Sequence, residues 1–114
     1  MDSPAPISAR ELQERLAAGE SLQLVDVREA AELELARLPY GVVHLPLSQS
    51  ERWAASISTT LASDRPIVVL CHAGIRSLQM GHWLIEQHGY RDVWNLQGGI
   101  DAWSVEVDPA IPRY

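Results

Sequence analysis

The stretch that most constrains this chain is Pro66-Ile67-Val68-Val69-Leu70-Cys71. An unbroken apolar run rich in β-branched residues, opening just after a proline, predicts a strand buried on both faces. Such strands belong inside parallel sheets with helices on each side. The run ends directly at Cys71. A helix is predicted over Ser77 to His88, where Leu78, Gly81, Leu84, Ile85 and His88 stand at i, i+3 and i+4 spacing and Gly89 supplies the stop. In sheets built from such strand–loop–helix units, sites form beyond the carboxyl ends of the strands.

The rest of the chain repeats this alternation. Ser8-Ala9-Arg10-Glu11 reads as a capping box opening a helix with Leu12, Leu16 and Ala17 on one stripe and Gly19 as its stop. Leu22 to Val27 reads as a strand, Glu29 to Leu38 as a helix ended by Pro39, and Val42 to Leu45 as a shorter strand. Trp53 to Leu61 reads as a short helix and Val93 to Leu96 as a last strand, followed by Gly98-Gly99 and a brief helix through Trp103. The expected architecture is α/β, with a parallel sheet covered on both faces.

The chain has 114 residues, the size of one domain, and 46% hydrophobic against 21% charged residues is an ordinary globular balance. No apolar run approaches the ~20 residues a membrane span needs. Met1 to Arg10 lacks the basic and apolar regions of a signal peptide, which predicts a soluble, cytoplasmic protein. The net charge is −6, every one of the 9 cationic side chains is arginine, and the arginines do not cluster. Nucleic acid and anionic membrane are therefore excluded as expected partners. Without lysine there is no Schiff-base or Walker-type chemistry. With Cys71 as the single cysteine there is neither an internal disulfide nor a Cys-x-x-Cys pair, and His44, His82 and His88 lack metal-ligand spacing. Neither metal nor cofactor is expected.

Between strand and helix lies Cys71-His72-Ala73-Gly74-Ile75-Arg76-Ser77. Gly74 can take a positive φ, so the loop can curl its amides inward and form an anion-binding nest at a helix N-terminus. A free thiol is only about 3% ionised at neutral pH. The helix dipole supplies about 0.3–1 kcal/mol, up to ~2 when partly buried, and hydrogen bonds to a charged group roughly 1.5–3 kcal/mol, enough to favour a nucleophilic thiolate before Arg76 is counted. The plain alternative is a small buried hydrophobe. His72 reads as a solvated loop residue or a general base. Four residues separate Cys71 from Arg76. Cysteine-dependent phosphatases, which this arrangement resembles, carry five there. The smaller ring suits a compact anion, a persulfide or the outer sulfur of thiosulfate, and argues against phosphatase or arsenate-reductase chemistry.

This loop resembles the active-site loop of single-domain rhodanese sulfurtransferases. Val25-Asp26-Val27-Arg28-Glu29 and Asn95-Leu96-Gln97-Gly98-Gly99-Ile100-Asp101-Ala102-Trp103 resemble two further motifs of that family in the same order, so the likeness covers about residues 8–104. Residues 105–114 look like a tail seen in some members. The resemblance implies one rhodanese-like three-layer domain over residues 1–114, with a central, mainly parallel five-stranded sheet flanked by helices. It implies that Cys71 takes sulfur from a small anionic donor such as thiosulfate, holds it as a persulfide, and yields it to cyanide in assay or to a thiol or protein acceptor in the cell. The amides of His72, Ala73, Gly74, Ile75, Arg76 and Ser77 would stabilise that persulfide. A non-catalytic binding module on the same scaffold is the other class, against which an intact cysteine loop argues. Asp26 and Arg28 are expected to form a structural ion pair bracing nearby loops, Gly98 and Gly99 a tight turn, and Trp103 a core anchor. Ala30 and Ala36 to Gly41 depart from the family pattern, so the region before Leu45 is expected to be shaped differently. Gly81, which costs about 1 kcal/mol in mid-helix, is expected at a close helix–sheet contact.

Overall fold

The computed structural model describes residues 3–114. Its centre is a five-stranded sheet in the order β1 (Ala5–Ile7), β5 (Val93–Leu96), β4 (Ile67–Leu70), β2 (Gln23–Asp26), β3 (Val43–His44), with every pairing parallel. β4 is the middle strand and its four residues are all buried, as its continuous apolar sequence requires.

The pleat of β4 divides the core. Val68 and Leu70 point to one face, with Ile7, Leu12, Leu24, Leu96, Ile100 and Trp103, under α1 (Ala9–Ala17) and α6 (Gly99–Glu106). Ile67, Val69 and Cys71 point to the other, with Val25, Met80, Leu84 and Val93, under α5 (Ile75–His88). Helices cover both faces, giving the three-layer α/β arrangement. Cys71 therefore faces α5.

Several local expectations are met for physical reasons. Ser8 accepts the Glu11 N–H at 3.1 Å and caps α1, the serine half of the expected capping box. A Cβ on Gly81 would run into the Pro4 ring just ahead of β1 and meet Val93 of β5 at an ordinary 3.5 Å, so the close contact expected at this position is made with Pro4 rather than with a strand of the sheet. Trp103 is buried in the core.

Other elements differ. α2 covers Ala30–Leu35 and stops before Leu38, because Ala36 is extended and Ala36 and Leu38 are both buried in the core, a spacing that only extended chain delivers. The short helix expected over Trp53 to Leu61 is a chain of single turns: a 3-10 turn at Leu47–Gln49, α3 at Ser50–Trp53, a second 3-10 turn at Ala54–Ser56 and α4 at Ile57–Thr60. β1 was not anticipated. It is an edge strand of three residues containing Pro6, tolerated because an edge position spares the missing N–H.

Candidate active site

Cys71 follows β4 immediately, and three residues later Gly74 stands at φ 103 as the N-cap of α5. That conformation is open to glycine and strained for other residues. It turns the Gly74 N–H onto Cys71 Sγ at 3.0 Å. The first N–H groups of a helix have no acceptor within it, so the opening amides of α5 lie at that helix's positive end without an intrahelical acceptor. This places a 14-residue helix with its positive end against the thiol.

The carbonyl side of the loop is tied down elsewhere. At the start of α6 the Ile100 N–H donates to the Cys71 carbonyl at 2.9 Å and the Asp101 N–H to the His72 carbonyl at 3.1 Å. Gly99, at φ 62, lies so close that a Cβ there would stand within 2.5 Å of the Cys71 carbonyl oxygen and nearer still to that of His72. The Gly98-Gly99 pair is thus more than the expected turn: it lets α6 hold the loop's carbonyls on the side away from the thiol.

Cys71 is 1% exposed. Its Sγ has one further polar neighbour, Ser77 Oγ at 3.2 Å, and Ser77 is itself fully buried. Ser77 Oγ donates to Asn95 Oδ1 at 2.5 Å, and Asn95 Nδ2 donates to the Gly74 carbonyl at 3.1 Å. Of the six loop residues proposed from sequence, Gly74 and Ser77 contact the sulfur directly. Ile75 is 72% exposed and forms the outer rim.

Arg76 was expected to add its charge to the thiol. Instead its guanidinium makes two hydrogen bonds to the Glu32 carboxylate, at 2.8 and 2.9 Å, tying α5 to α2. The bonds from Arg76 hold Glu32 at about 2, against the opposing effect of burial. The same pairing, with smaller contributions from Cys71 and Tyr114, raises Arg76 despite partial desolvation. Most of the Arg76 charge is thus met by Glu32.

His72 is not a solvated residue. Its ring stacks on Tyr114 at 4.1 Å between centroids, and its buried Nε2 has no hydrogen-bond partner among the described residues. The Tyr114 hydroxyl accepts from Arg28 Nη1 at 2.9 Å. Arg28 is fully buried and grips Asp26 through Nε and Nη2, the closest contact being 2.8 Å, which gives the expected ion pair. Burial works against the Arg28 charge, but bonds to Asp26 and Tyr114 outweigh it and raise its pKa. His44 Nε2 meets the Arg28 carbonyl at 2.6 Å, His82 pairs with Glu86 at 3.8 Å, and His88 packs on Trp83. These three histidines lie in local contacts outside the cysteine loop. Glu32, Asn95 and Tyr114 had no assigned role in the sequence reading. Only the acid three residues after Glu29 carried a signal, as a helix cap, and the Glu29 N–H does donate to Glu32 at 2.8 Å.

The profile of the Rhodanese-like domain matches residues 8–106, nearly the whole chain. The chain belongs to the rhodanese-like family. It is 47% identical over 92 residues to the Rhodanese-like/PpiC domain-containing protein 12, chloroplastic, of Arabidopsis thaliana, a match covering 81% of this chain and 30% of that protein. It is 37% identical over 102 residues to a sulfurtransferase of Allochromatium vinosum, covering 86% of each. A rhodanese-like domain protein from Staphylococcus aureus superimposes with a TM-score of 0.75 at 24% identity, covering 96% of this chain and 98% of that one, a likeness of fold. This rhodanese-like chain thus spans less than a third of the plant relative and most of the bacterial one.

Proposed function

We propose that this rhodanese-like chain is a sulfurtransferase in which Cys71 carries sulfane sulfur as a persulfide. The observation that carries the reading is the Gly74 N–H on Cys71 Sγ at 3.0 Å, at the N-terminus of α5. Donors arranged in this way favour negative charge on sulfur. The name of the Allochromatium vinosum relative supports the same chemistry.

With thiosulfate as donor, the Cys71 thiolate attacks the outer sulfur. A new S–S bond forms, the donor's own S–S bond breaks, and sulfite leaves with the electron pair. An acceptor nucleophile, cyanide in assay or a thiol in the cell, then attacks the outer sulfur and Cys71 leaves as thiolate. This is two-step covalent catalysis. His72, Ala73, Gly74, Ile75, Arg76 and Ser77 form the cradle, their main-chain donors stabilising the persulfide. Asp26 and Arg28 support the loop through Tyr114, to which Arg28 is bonded. We place the reaction in a reducing compartment such as the cytoplasm, where a lone thiol stays free. The donor is a small anion, and the acceptor a thiol or a protein.

Intact mass spectrometry after thiosulfate treatment tests this. One added sulfur, lost on cyanide treatment and absent in Cys71→Ser, is the expected result; an unchanged mass for the wild type overturns it. A non-catalytic binding module is the second reading, favoured by the 1% exposure of Cys71. It requires that wild type take up no sulfur under the same conditions.

A further inference from the structure

The buried hydroxyl of Ser77 stands between two acceptors and has one proton to give. Asn95 decides where that proton points. The Gly74 carbonyl can only accept, so the group Asn95 turns toward it, at 3.1 Å, must be the Nδ2 amide. This fixes Oδ1 toward Ser77, where it accepts the hydroxyl proton at 2.5 Å. Ser77 therefore offers a lone pair to Cys71 Sγ, 3.2 Å away, and whenever Cys71 carries its proton the S–H donates to it.

We infer that Asn95 is a positioning residue that holds the Ser77 hydroxyl away from sulfur while Cys71 is a thiol and must release it for the ionised sulfur to gain a second donor. On ionisation the S–H proton leaves to solvent base. The Ser77 O–H then rotates about its C–O bond from Asn95 Oδ1 to Sγ. No covalent bond other than S–H is broken. The thiolate, already facing the Gly74 N–H, gains the hydroxyl at the expense of the Ser77–Asn95 bond. Asn95 thus sets how readily the nucleophile forms, while its amide keeps the Gly74 carbonyl turned from the site.

The charged and titratable groups around the thiol are Arg76 on α5, paired with Glu32 of α2, His72 in the loop, Asp101 of α6, whose N–H holds the His72 carbonyl, and Tyr114 stacked on His72. All are retained when Asn95 is changed. The proposal extends the sulfur-transfer reading, yet its test needs no sulfur donor, so either can fail alone.

The test is the pH profile of Cys71 alkylation by iodoacetamide in Asn95→Ala, in Ser77→Ala and in the double variant. Freed from Asn95, Ser77 donates to sulfur without giving up a bond, so the Asn95→Ala profile moves to lower pH by about half to one unit. In the Ser77→Ala background the same Asn95 change produces no such move, because it acts through the hydroxyl. An unmoved or raised profile in Asn95→Ala overturns the proposal, as does a shift that persists in full without the Ser77 hydroxyl. Should Asn95→Ala not fold, the Asn95 side-chain amide signals of 15N-labelled protein carry the test. They shift with the alkylation midpoint in wild type and stay still in Ser77→Ala; equal behaviour in the two proteins overturns the assignment.

Discussion

The Tyr114 ring lies on the His72 imidazole with their planes 15° from parallel, so the last stretch of the chain closes over the loop that carries Cys71. Ile111 is buried, Arg113 holds Asp101 at 2.8 Å, and the Tyr114 hydroxyl is bonded to Arg28. Stacking contributes about 0.5–1.5 kcal/mol. Tyr114→Ala is therefore expected to lower stability by about 1–2 kcal/mol, read as the urea midpoint, and to speed Cys71 labelling by bulky thiol reagents more than by small ones. Tyr114→Phe keeps the stack and loses only the hydroxyl's bonds to Arg28 and Glu32, so its stability cost is smaller. A double-mutant cycle with His72→Ala checks the pair directly, and zero coupling would refute the stacking contribution.

The Glu32–Arg76 pair gives a prediction in acid. Glu32 is held at about 2, below its ordinary 4.5, by the Arg76 hydrogen bonds. A carboxylate depressed in the folded state contributes stability that is complete above its unfolded value and lost as pH falls through its folded one. The window is thus from about 4.5 down to about 2. The Arg76 side chain is 35% exposed, so water screens the pair and its stability share is at most about 1 kcal/mol. Glu32→Gln is expected to flatten stability across that window. It also leaves the Arg76 charge unmet beside the anion site, so KM for thiosulfate should fall roughly threefold at low salt, a gain that 1 M salt erases. A KM that is unchanged at every ionic strength would show that Arg76 does not face the donor.

Where the sequence was legible, one physical signal dominated the alternatives. The apolar run of β4 could be satisfied only at the centre of a covered sheet, and Gly74 between strand and helix could be read as a loop turning on positive φ. The signal failed where partners are distant in sequence. Glu32 meets Arg76 across 44 positions and Tyr114 meets Arg28 across 86, separations that periodicity does not reach. The helix over Glu29 to Leu38 was overrun because alanine and leucine suit helix and extended chain alike, and burial of Ala36 and Leu38 decided the matter. β1 escapes the sequence pattern because three residues, the middle one Pro6, are too few to show an alternation.

The Asp26–Arg28 pair supports a stability prediction. Both groups are buried and face each other at 2.8 Å. Removing one partner leaves an uncompensated buried charge, costing about 3–5 kcal/mol. Asp26→Ala should therefore remove much of a total of roughly 5–15 kcal/mol, while Asp26→Asn, which still accepts a hydrogen bond, should cost less. Chemical denaturation of the two variants measures the difference. Because Arg28 also holds Tyr114, the Asp26→Ala protein that remains folded should show the faster thiol labelling expected of Tyr114→Ala.

The contact between Gly99 and the cysteine loop gives the sharpest test of how the cradle is held. A methyl group on Gly99 would collide with the carbonyl oxygens of Cys71 and His72, and its φ of 62 adds backbone strain of about 1–3 kcal/mol. The collision can be relieved only by moving α6 or rotating the loop peptides, and either breaks the Ile100 bond to the Cys71 carbonyl. Misplacing a reacting group by about 1 Å costs up to ~100-fold in rate, so Gly99→Ala should slow persulfide formation roughly tenfold to a hundredfold. Gly41→Ala is the control: nothing lies within 4 Å of its Cβ, and stability should stay within about 0.5 kcal/mol of wild type. The readouts are cyanide-labile sulfur on Cys71 against time and the thermal midpoint. Wild-type sulfur uptake by Gly99→Ala would mean that the α6 anchor does not set the loop's amide geometry.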